Sequence, residues 1–225
     1  MFKLWGEKRI KTWNPFVGCR FDCSYCWARR IAKRLRCELC KSFEPHFHPE
    51  RLDKIPRSGI IFVSDMGDIS WCEDHELENL LEVVAEVQAK NDAIFFFETK
   101  NPFIYHLFPA LEKDKTILST TIETNRDELC KRVSLAPPPS CRKANMTLLK
   151  PWWPRRHISI EPIMDFDPPI LFRWITDIEP EIVSIGHDNY HNHLPEPPLP
   201  KVLKLIEDLE ASGIKVERKT LRVIT

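Results

Sequence analysis

The chain has 225 residues, 43% of them hydrophobic and 29% charged, which excludes a disordered or collagen-like polymer. A chain of this length buries roughly 70–75% of the surface its unfolded form exposes, so it needs no staples to fold. Its 33 Lys/Arg balance 33 Asp/Glu, so no overall charge advertises a polyanionic partner, and no apolar run approaches the ~18–20 residues of a membrane span.

The N-terminus "MFKLWGEKRIK" lacks the apolar stretch of a signal peptide. With eight cysteines, this points to a cytoplasmic protein, where clustered thiols serve metals or redox chemistry. "RIKTWNPF" reads as a first strand. "SYCWARRIAKRLR" has good helix formers and reads as a helix of about three turns. "GIIFVSD" is a buried-type strand, and "EDHELENLLEVVAEVQAK" sets Leu77, Leu80, Leu81, Val84 and Val87 at helical spacing. "DAIFFFET" is a third strand, followed by "NPFIYHLFPALEK" as a helix with Asn101 as cap and proline at its first position.

"KTILSTTIE" reads as the fourth strand and "TNRDELCKRVSL" as a helix capped by Thr124 or Asn125. Five prolines in "APPPSCRKANMTLLKPWWPRR" predict an irregular insertion around residues 136–155. "HISIEPI" and "EIVSIGHDN" are further strands, with "PPILFRWITDI" a helix between them. "HNHLPEPPLP" is a loop, "KVLKLIEDLEAS" an amphipathic helix ended by Gly213, and "IKVERKTLRVI" a last strand. Alternating strands and helices mean βαβ units on a parallel sheet. About six units predict one domain over 1–225, an α/β partial open (β/α)6 TIM-type barrel, with ligands at the C-terminal ends of the strands.

The first such end carries "NPFVGCRFDCSYCW". Cys19-x3-Cys23-x2-Cys26 is one ligand short of a closed metal site. Two readings follow from spacing alone. Zinc would be completed by Cys37 or Cys40 of "CELC", making a zinc-stabilised binding module without redox chemistry. A [4Fe–4S] cluster would instead be held by three thiolates, with one iron left open.

This motif, with Tyr25 before the last cysteine, resembles the signature of the radical S-adenosylmethionine (radical SAM) superfamily. "TWNPFVGC", "HPERL", "IFVSDMGD", "ETKNP", "TTIE", "SIEPI" and "IVSIG" resemble, in order, a small phage-associated radical SAM family of unassigned substrate, and more distantly spore photoproduct lyase. The resemblance covers roughly residues 12–190. It implies an enzyme in which Cys19, Cys23 and Cys26 hold a [4Fe–4S] cluster. S-adenosylmethionine binds the open iron and is cleaved reductively to a 5′-deoxyadenosyl radical, which abstracts hydrogen from substrate. An electron donor such as a ferredoxin or flavodoxin is implied as partner.

Tyr25 and the polar strand-end residues are then candidates for the cofactor. Asp68 and Gly67 in "SDMGD" stand where the superfamily holds the methionine amino group, with Ser64 and Asp65 as neighbours. Helix capping is the other reading of the two aspartates. Ser119, Thr121 and Glu123 share one strand face and suit the ribose hydroxyls. Lys100, Glu161 and His187 are candidate catalytic groups; Asp188, His191 and His193 extend the last into a polar loop. A carboxylate at the position of Glu161 is hard to bury without a partner. Cys37 and Cys40 form a candidate second metal site, for zinc or a second cluster, with His46, His48 or Cys72 as completing ligands.

Charge is uneven. Residues 1–60 hold 14 Lys/Arg against 6 Asp/Glu, and "ARRIAKRLR" packs five cations into nine residues. The basic run reads first as a solvated helix face and second as a surface for an acidic substrate, and "PWWPRR" equally as a base-stacking platform or a hydrophobic plug over the open side of the barrel. Together with the distant resemblance to a DNA-repair lyase, they make a nucleic acid or nucleotide the candidate substrate.

Overall fold

A computed structural model describes residues 10–108 and 110–223. The stretch MFKLWGEKR, which includes Arg9 of the first predicted strand, lies outside the described residues, as do Pro109, Ile224 and Thr225. The chain packs as two compact units. The first takes residues up to Asp22, Cys26–Lys100 and Ile104–Leu118; the second takes Cys23–Tyr25, Asn101–Phe103 and the chain from Ser119 onward.

The first unit holds β1 (Ile10–Trp13), β2 (Phe16–Val17), α1 (Trp27–Ala32), α2 (Glu38–Ser42), β3 (His46–Phe47), β4 (Ile60–Val63), α3 (Asp74–Lys90) and β5 (Ile94–Glu98). β6 (Thr116–Thr121) begins there, and the strand order is β1-β4-β5-β6. β1 pairs β4 and β4 pairs β5 in parallel, with Ile10 opposite Ile60 and Ile60 opposite Ile94. All four residues of β4 are buried, the continuous apolar run of a parallel strand covered on both faces. Ile10, Ile60, Phe62, Phe96 and Ile117 form one core cluster. α3 buries the predicted stripe of Leu77, Leu80, Leu81, Val84 and Val87. A capping box between Glu73 and Glu76 starts it.

The second unit holds the end of β6, then α4 (Asp127–Lys131), α5 (Pro139–Leu149), β7 (Arg156–Ile160), α6 (Pro168–Ile178), β8 (Ile182–Ile185), α7 (Leu199–Ala211) and β9 (Lys215–Arg218). Its strand order is β6-β7-β8-β9, and β7–β8 and β8–β9 are parallel. α6 buries Leu171, Ile175 and Ile178; α7 buries Val202, Leu205, Ile206 and Leu209. Along the described residues, strands of the parallel sheet alternate with helices or 3-10 turns, the α/β order expected.

Four local expectations are corrected. The basic stretch after the cysteines is not one helix: α1 ends at Ala32, and α2 opens afresh with Cys37 as its N-cap. The turn between them returns Cys40 to His46 and His48, a tertiary contact that overrides local helix propensity. Pro102–Leu107 is a 3-10 turn rather than an α-helix. α4 is only five residues long, with Arg126 at its N-cap. Thr124 is used otherwise: its Oγ1 donates to the Asp165 carbonyl and accepts from the Arg126 N–H. The Pro-rich stretch contains an 11-residue helix, α5. Pro138 caps it and Pro139 takes its first turn, where a missing N–H costs nothing.

One backbone contact sets the first strand-end loop. Gly18 has φ +96, and a Cβ there would lie 2.3 Å from the Glu44 carbonyl oxygen. Gly213 also has positive φ, yet a Cβ there meets nothing within 4 Å. Gly18→Ala is expected to cost about 2–5 kcal/mol, strain and clash together, against about 1–2 kcal/mol for Gly213→Ala, as read by urea denaturation. Equal losses would show that the close approach of Gly18 contributes nothing.

Candidate functional site

The cysteine motif is divided between the two units: Cys19 and Cys26 belong to the first, Cys23 to Tyr25 to the second. None of the three cysteines is in a disulfide; Cys23 is buried and the others are half-buried. In the first unit, the Phe21 N–H donates to Cys19 Sγ and the Arg29 N–H to Cys26 Sγ, each at 3.4 Å. Cys26 thereby caps α1. Cys19 and Cys26 pack, with Trp27 and Leu35, against a cluster of Val17, Ala28, Ala32, Cys40, Phe43 and Met66.

The loop after β4 is stitched to this one. The Gly18 N–H donates to the Met66 carbonyl (3.0 Å) and the Asp68 N–H to the Gly18 carbonyl (3.1 Å). A Cβ on Gly67 would sit 2.8 Å from the Gly18 oxygen, so only glycine permits this approach. Asn14 spans the same gap: its Oδ1 accepts from the Met66 N–H and its Nδ2 donates to Asp65. Burial pushes the Asp65 carboxyl up, opposed by that bond from Asn14.

Asp68 is a junction. Its Oδ1 accepts from Thr99 Oγ1 (2.6 Å), Ser70 Oγ (2.7 Å) and the Ser70 N–H (3.0 Å), and its Oδ2 from the Lys100 N–H (2.9 Å). It thus joins the loop after β4 to the loop after β5, and it caps a 3-10 turn, Ile69–Trp71. Lys100 is half-buried and enters this junction through its backbone. Ser64 behaves differently. It is buried, has φ +56, and its Oγ has no hydrogen-bond partner. A buried, unpaired hydroxyl on strained backbone at a strand end is a cost that a bound ligand would repay.

In the second unit, Glu123 and Arg142 form an ion pair at 2.8 Å with both side chains fully buried. Arg142 also donates to the carbonyls of Thr121 (2.8 Å) and Pro137 (2.6 Å) and to Cys130 Sγ (3.1 Å). Burial opposes its charge, but Glu123 and Cys130 hold its pKa above the ordinary arginine value. The other Glu123 oxygen accepts from the Tyr25 hydroxyl. Burial, then the Glu123 charge, pushes that hydroxyl well above its usual range, so it stays protonated and donates. Cys23 Sγ lies 3.1 Å from Ser134 Oγ, and the Ser24 N–H donates to the Val133 carbonyl. The middle of the motif is therefore fastened at three points.

A polar row crosses three strands of this unit. Ser119 Oγ on β6 meets His157 Nδ1 at 2.8 Å, and His157 Nε2 meets Ser184 Oγ on β8 at 2.9 Å. Burial, then the Lys219 charge, holds His157 down to about 3, so it is a neutral spacer. On β7, alternation sets His157, Ser159 and Glu161 on one face. Ser159 stands opposite Ser184, and Ser184 opposite Glu217. Beyond them, a Cβ on Gly186 would lie 3.4 Å from Glu161 Oε1 and 2.8 Å from Lys219 Cβ. Burial raises the Glu161 carboxyl; Lys219 opposes the shift and Glu217 adds to it. Glu217 Oε1 lies 3.3 Å from Lys219 Nζ, while its Oε2 is buried with no partner.

The remaining candidates fall elsewhere. His187 is fully buried; its Nε2 donates to the Pro197 carbonyl and its Nδ1 accepts from the Arg222 N–H. Asp188 closes its own loop, accepting from the N–H groups of Tyr190 and Asn192, while His191 and His193 are exposed. Thr121 is buried on β6. Cys37 and Cys40 meet His46 and His48. Cys72 ends the 3-10 turn instead, its thiol pushed up by burial. Trp153 is buried and Trp152 is 64% exposed, but both precede β7, at the opposite end of that strand from Glu161. Arg142, Asn14, Thr99 and His157 were not anticipated as polar anchors. The signal for Arg142 was Glu123 itself, a carboxylate on a buried strand that needs a cation.

No protein-family model and no curated protein matches the chain. Solved structures do. Streptococcus suis SuiB bound to S-adenosylmethionine superposes with TM-score 0.65 at 10% identity, covering 93% of this chain and 50% of that one. SuiB bound to precursor peptide SuiA gives 0.64 at 12% identity, covering 93% and 48%. Spore photoproduct lyase complexed with dinucleoside spore photoproduct gives 0.59 at 13% identity, covering 88% and 60%. The chain thus spans about half to three fifths of the structures it matches. At these identities the likeness establishes the fold, the α/β partial open TIM-type barrel that the sequence predicts.

Two outcomes follow from this chemistry. Arg142→Met strands the Glu123 carboxylate and is expected to cost about 3–5 kcal/mol in urea denaturation; adding Glu123→Gln should recover part of the loss. No recovery would mean that packing, not charge, carries Arg142. His157 has a folded pKa of about 3, below the usual histidine value of roughly 6.5. The unfolded state therefore takes up the proton first, and stability present above pH ~6.5 is lost as pH falls toward 3. His157→Gln should flatten this arm of a stability-versus-pH series, and an unchanged slope would assign it to other groups.

Proposed function

We propose that this chain is a radical SAM enzyme. The observation that carries the reading is the Cys19-x3-Cys23-x2-Cys26 set, none of it in a disulfide, on the stretch between the first strand and α1. Three thiolates suit a [4Fe–4S] cluster with one iron open to a cosubstrate, and the two N–H···S bonds are of the kind that tune such clusters. The structural neighbours SuiB and spore photoproduct lyase are radical SAM enzymes, which supports the same superfamily from the fold. Cys19, Cys23 and Cys26 would hold the cluster. Bound there, it would supply the electron that splits S-adenosylmethionine into methionine and the 5′-deoxyadenosyl radical that takes a hydrogen from substrate.

The chain's own residues divide the remaining work. Ser64, with its unpaired buried hydroxyl, is the group best suited to S-adenosylmethionine on the loop after β4, beside Asp65 and the backbone of Gly67. Asp68 and Glu123 act on the cofactor through position: one clamps the loops after β4 and β5, the other holds Tyr25. Ser119 and Thr121 face the ribose in this reading. His187 positions the loop after β8 through both ring nitrogens. Glu161 and Lys100 are assigned to the substrate in this reading. Burial favours the protonated form of Glu161, which can then donate as well as accept.

A nucleic acid or nucleotide is the substrate class we favour. The cations of residues 28–36 support it, with Arg30, Lys33, Arg34 and Arg36 all exposed. Spore photoproduct lyase, a neighbour, is seen with a dinucleoside photoproduct. The electron would come from a carrier of the ferredoxin or flavodoxin class. No described helix is long and apolar enough to cross a membrane.

Anaerobic reconstitution is expected to give about four irons per chain, with loss of the cluster in Cys19→Ala, Cys23→Ala and Cys26→Ala. Dithionite and S-adenosylmethionine should then yield 5′-deoxyadenosine, faster with an oligonucleotide than with a peptide. A full cluster without that product would sink the enzyme, and a colourless protein holding only zinc on these thiols would establish the binding module instead.

A further inference from the structure

Twelve residues of the first unit carry a second constellation, independent of the radical SAM reading. Cys37 is the N-cap of α2 and Cys40 lies in its first turn, fully buried. Phe43, with φ +60, ends that helix and turns the chain into β3, whose His46 pairs with Val17 of β2. This brings Cys37, Cys40, His46 and His48 together, with all four ligand atoms within 4.8 Å of one another.

The separations are those of one coordination sphere. Cys40 Sγ lies 3.4 Å from His46 Nε2 and 3.2 Å from His48 Nε2, and Cys37 Sγ lies 3.6 Å from His46 Nε2. Zinc bonds of ~2.3 Å to sulfur and ~2.0–2.1 Å to nitrogen, arranged tetrahedrally, put sulfur and nitrogen about 3.5 Å apart. Both imidazoles are held by their other nitrogen. His46 Nδ1 donates to the Glu44 carbonyl (2.7 Å) and His48 Nδ1 to Glu50 Oε1 (2.9 Å), leaving both Nε2 lone pairs directed at the thiols. A carbonyl or carboxylate behind a ligating imidazole is the usual support of a metal-bound histidine.

We infer that Cys37, Cys40, His46 and His48 form a closed structural site for a single tetrahedral divalent cation, zinc by its S2N2 donor set. A two-iron cluster does not fit, because it would place the cysteine and histidine pairs on different irons; here Cys40 Sγ touches both histidines at the edge lengths of one ion. The site has a structural consequence. Cys37 and Cys40 belong to the same packed cluster as Cys19 and Cys26, and the Cys19 N–H donates to the Phe43 carbonyl between the two ligand pairs. The cation therefore braces the loop on which the Cys19 motif begins.

The test uses the full chain bearing Cys19→Ala, Cys23→Ala and Cys26→Ala, so that no thiol of that motif binds metal. Elemental analysis is expected to find about one zinc per chain, and cobalt substitution to give the visible bands of a tetrahedral thiolate site. Adding Cys40→Ser should remove both. Since that variant can unfold, Glu50→Gln is the second arm: it keeps all four ligands and should weaken zinc about 10–100-fold in chelator competition. Absence of zinc and of tetrahedral cobalt bands in the triple variant, or unchanged zinc affinity in Glu50→Gln, overturns the site. Neither result bears on whether the intact motif assembles a cluster.

Discussion

The buried pair Glu123–Arg142 is the constraint on which the second unit depends. Neither side chain is exposed, so neither charge can turn to water. Such a pair is not a source of stability in itself, since desolvation offsets most of its attraction. What it does is penalise every arrangement in which the two are apart. α5 must pack where Arg142 reaches the end of β6. The guanidinium then has donors to spare, and they go to Thr121, Pro137 and Cys130. The second carboxylate oxygen requires a donor too, and Tyr25 supplies it. One carboxylate thus determines where a helix, a strand end and the middle of the cysteine motif lie.

The first unit solves the same problem with a different group. The charge of Asp68 is shared by two hydroxyls and two backbone N–H groups. Those donors come from the loops after β4 and β5, so the charge is satisfied only when both loops are in place. Gly18 and Gly67 then allow the loop after the first strands to lie directly on the loop after β4. Backbone contact at that distance leaves no room for a side chain, which makes the two glycines part of the same constraint.

The fold class was legible because it rests on periodicity. β4 and β5 are short apolar runs, and the α3 stripe follows the 3.6-residue period. Boundaries set by tertiary context were not legible. The break between α1 and α2 depends on a turn that returns Cys40 to the histidines, and the propensities of "ARRIAKRLR" contain nothing of that. α5 was hidden because proline density was read as exclusion, although prolines at a helix start are harmless. Residue types at strand ends pointed to polar groups with work to do, but not to which kind of work. Glu123 and Asp68 look alike in sequence to Glu161. Only the partners, distant along the chain, separate the carboxylates of Glu123 and Asp68, bound to protein groups, from that of Glu161, which burial raises toward protonation.

That separation narrows the chemistry. A carboxylate already accepting four hydrogen bonds, or locked to a buried guanidinium, cannot reorganise for a substrate without breaking what holds the loops. Groups able to act are those whose bonding capacity is unspent at a strand end. Among the described residues these are the Ser64 hydroxyl and the Glu217 oxygen, both buried without partners, and Glu161, raised by burial beside Lys219. Glu161 and Glu217 lie at the ends of β7 and β9, with Gly186 of the β8 end between Glu161 and Lys219. Burial biases Glu161 toward its protonated form, so it can donate as well as accept, while Glu217 keeps one oxygen without a partner and the other 3.3 Å from Lys219 Nζ.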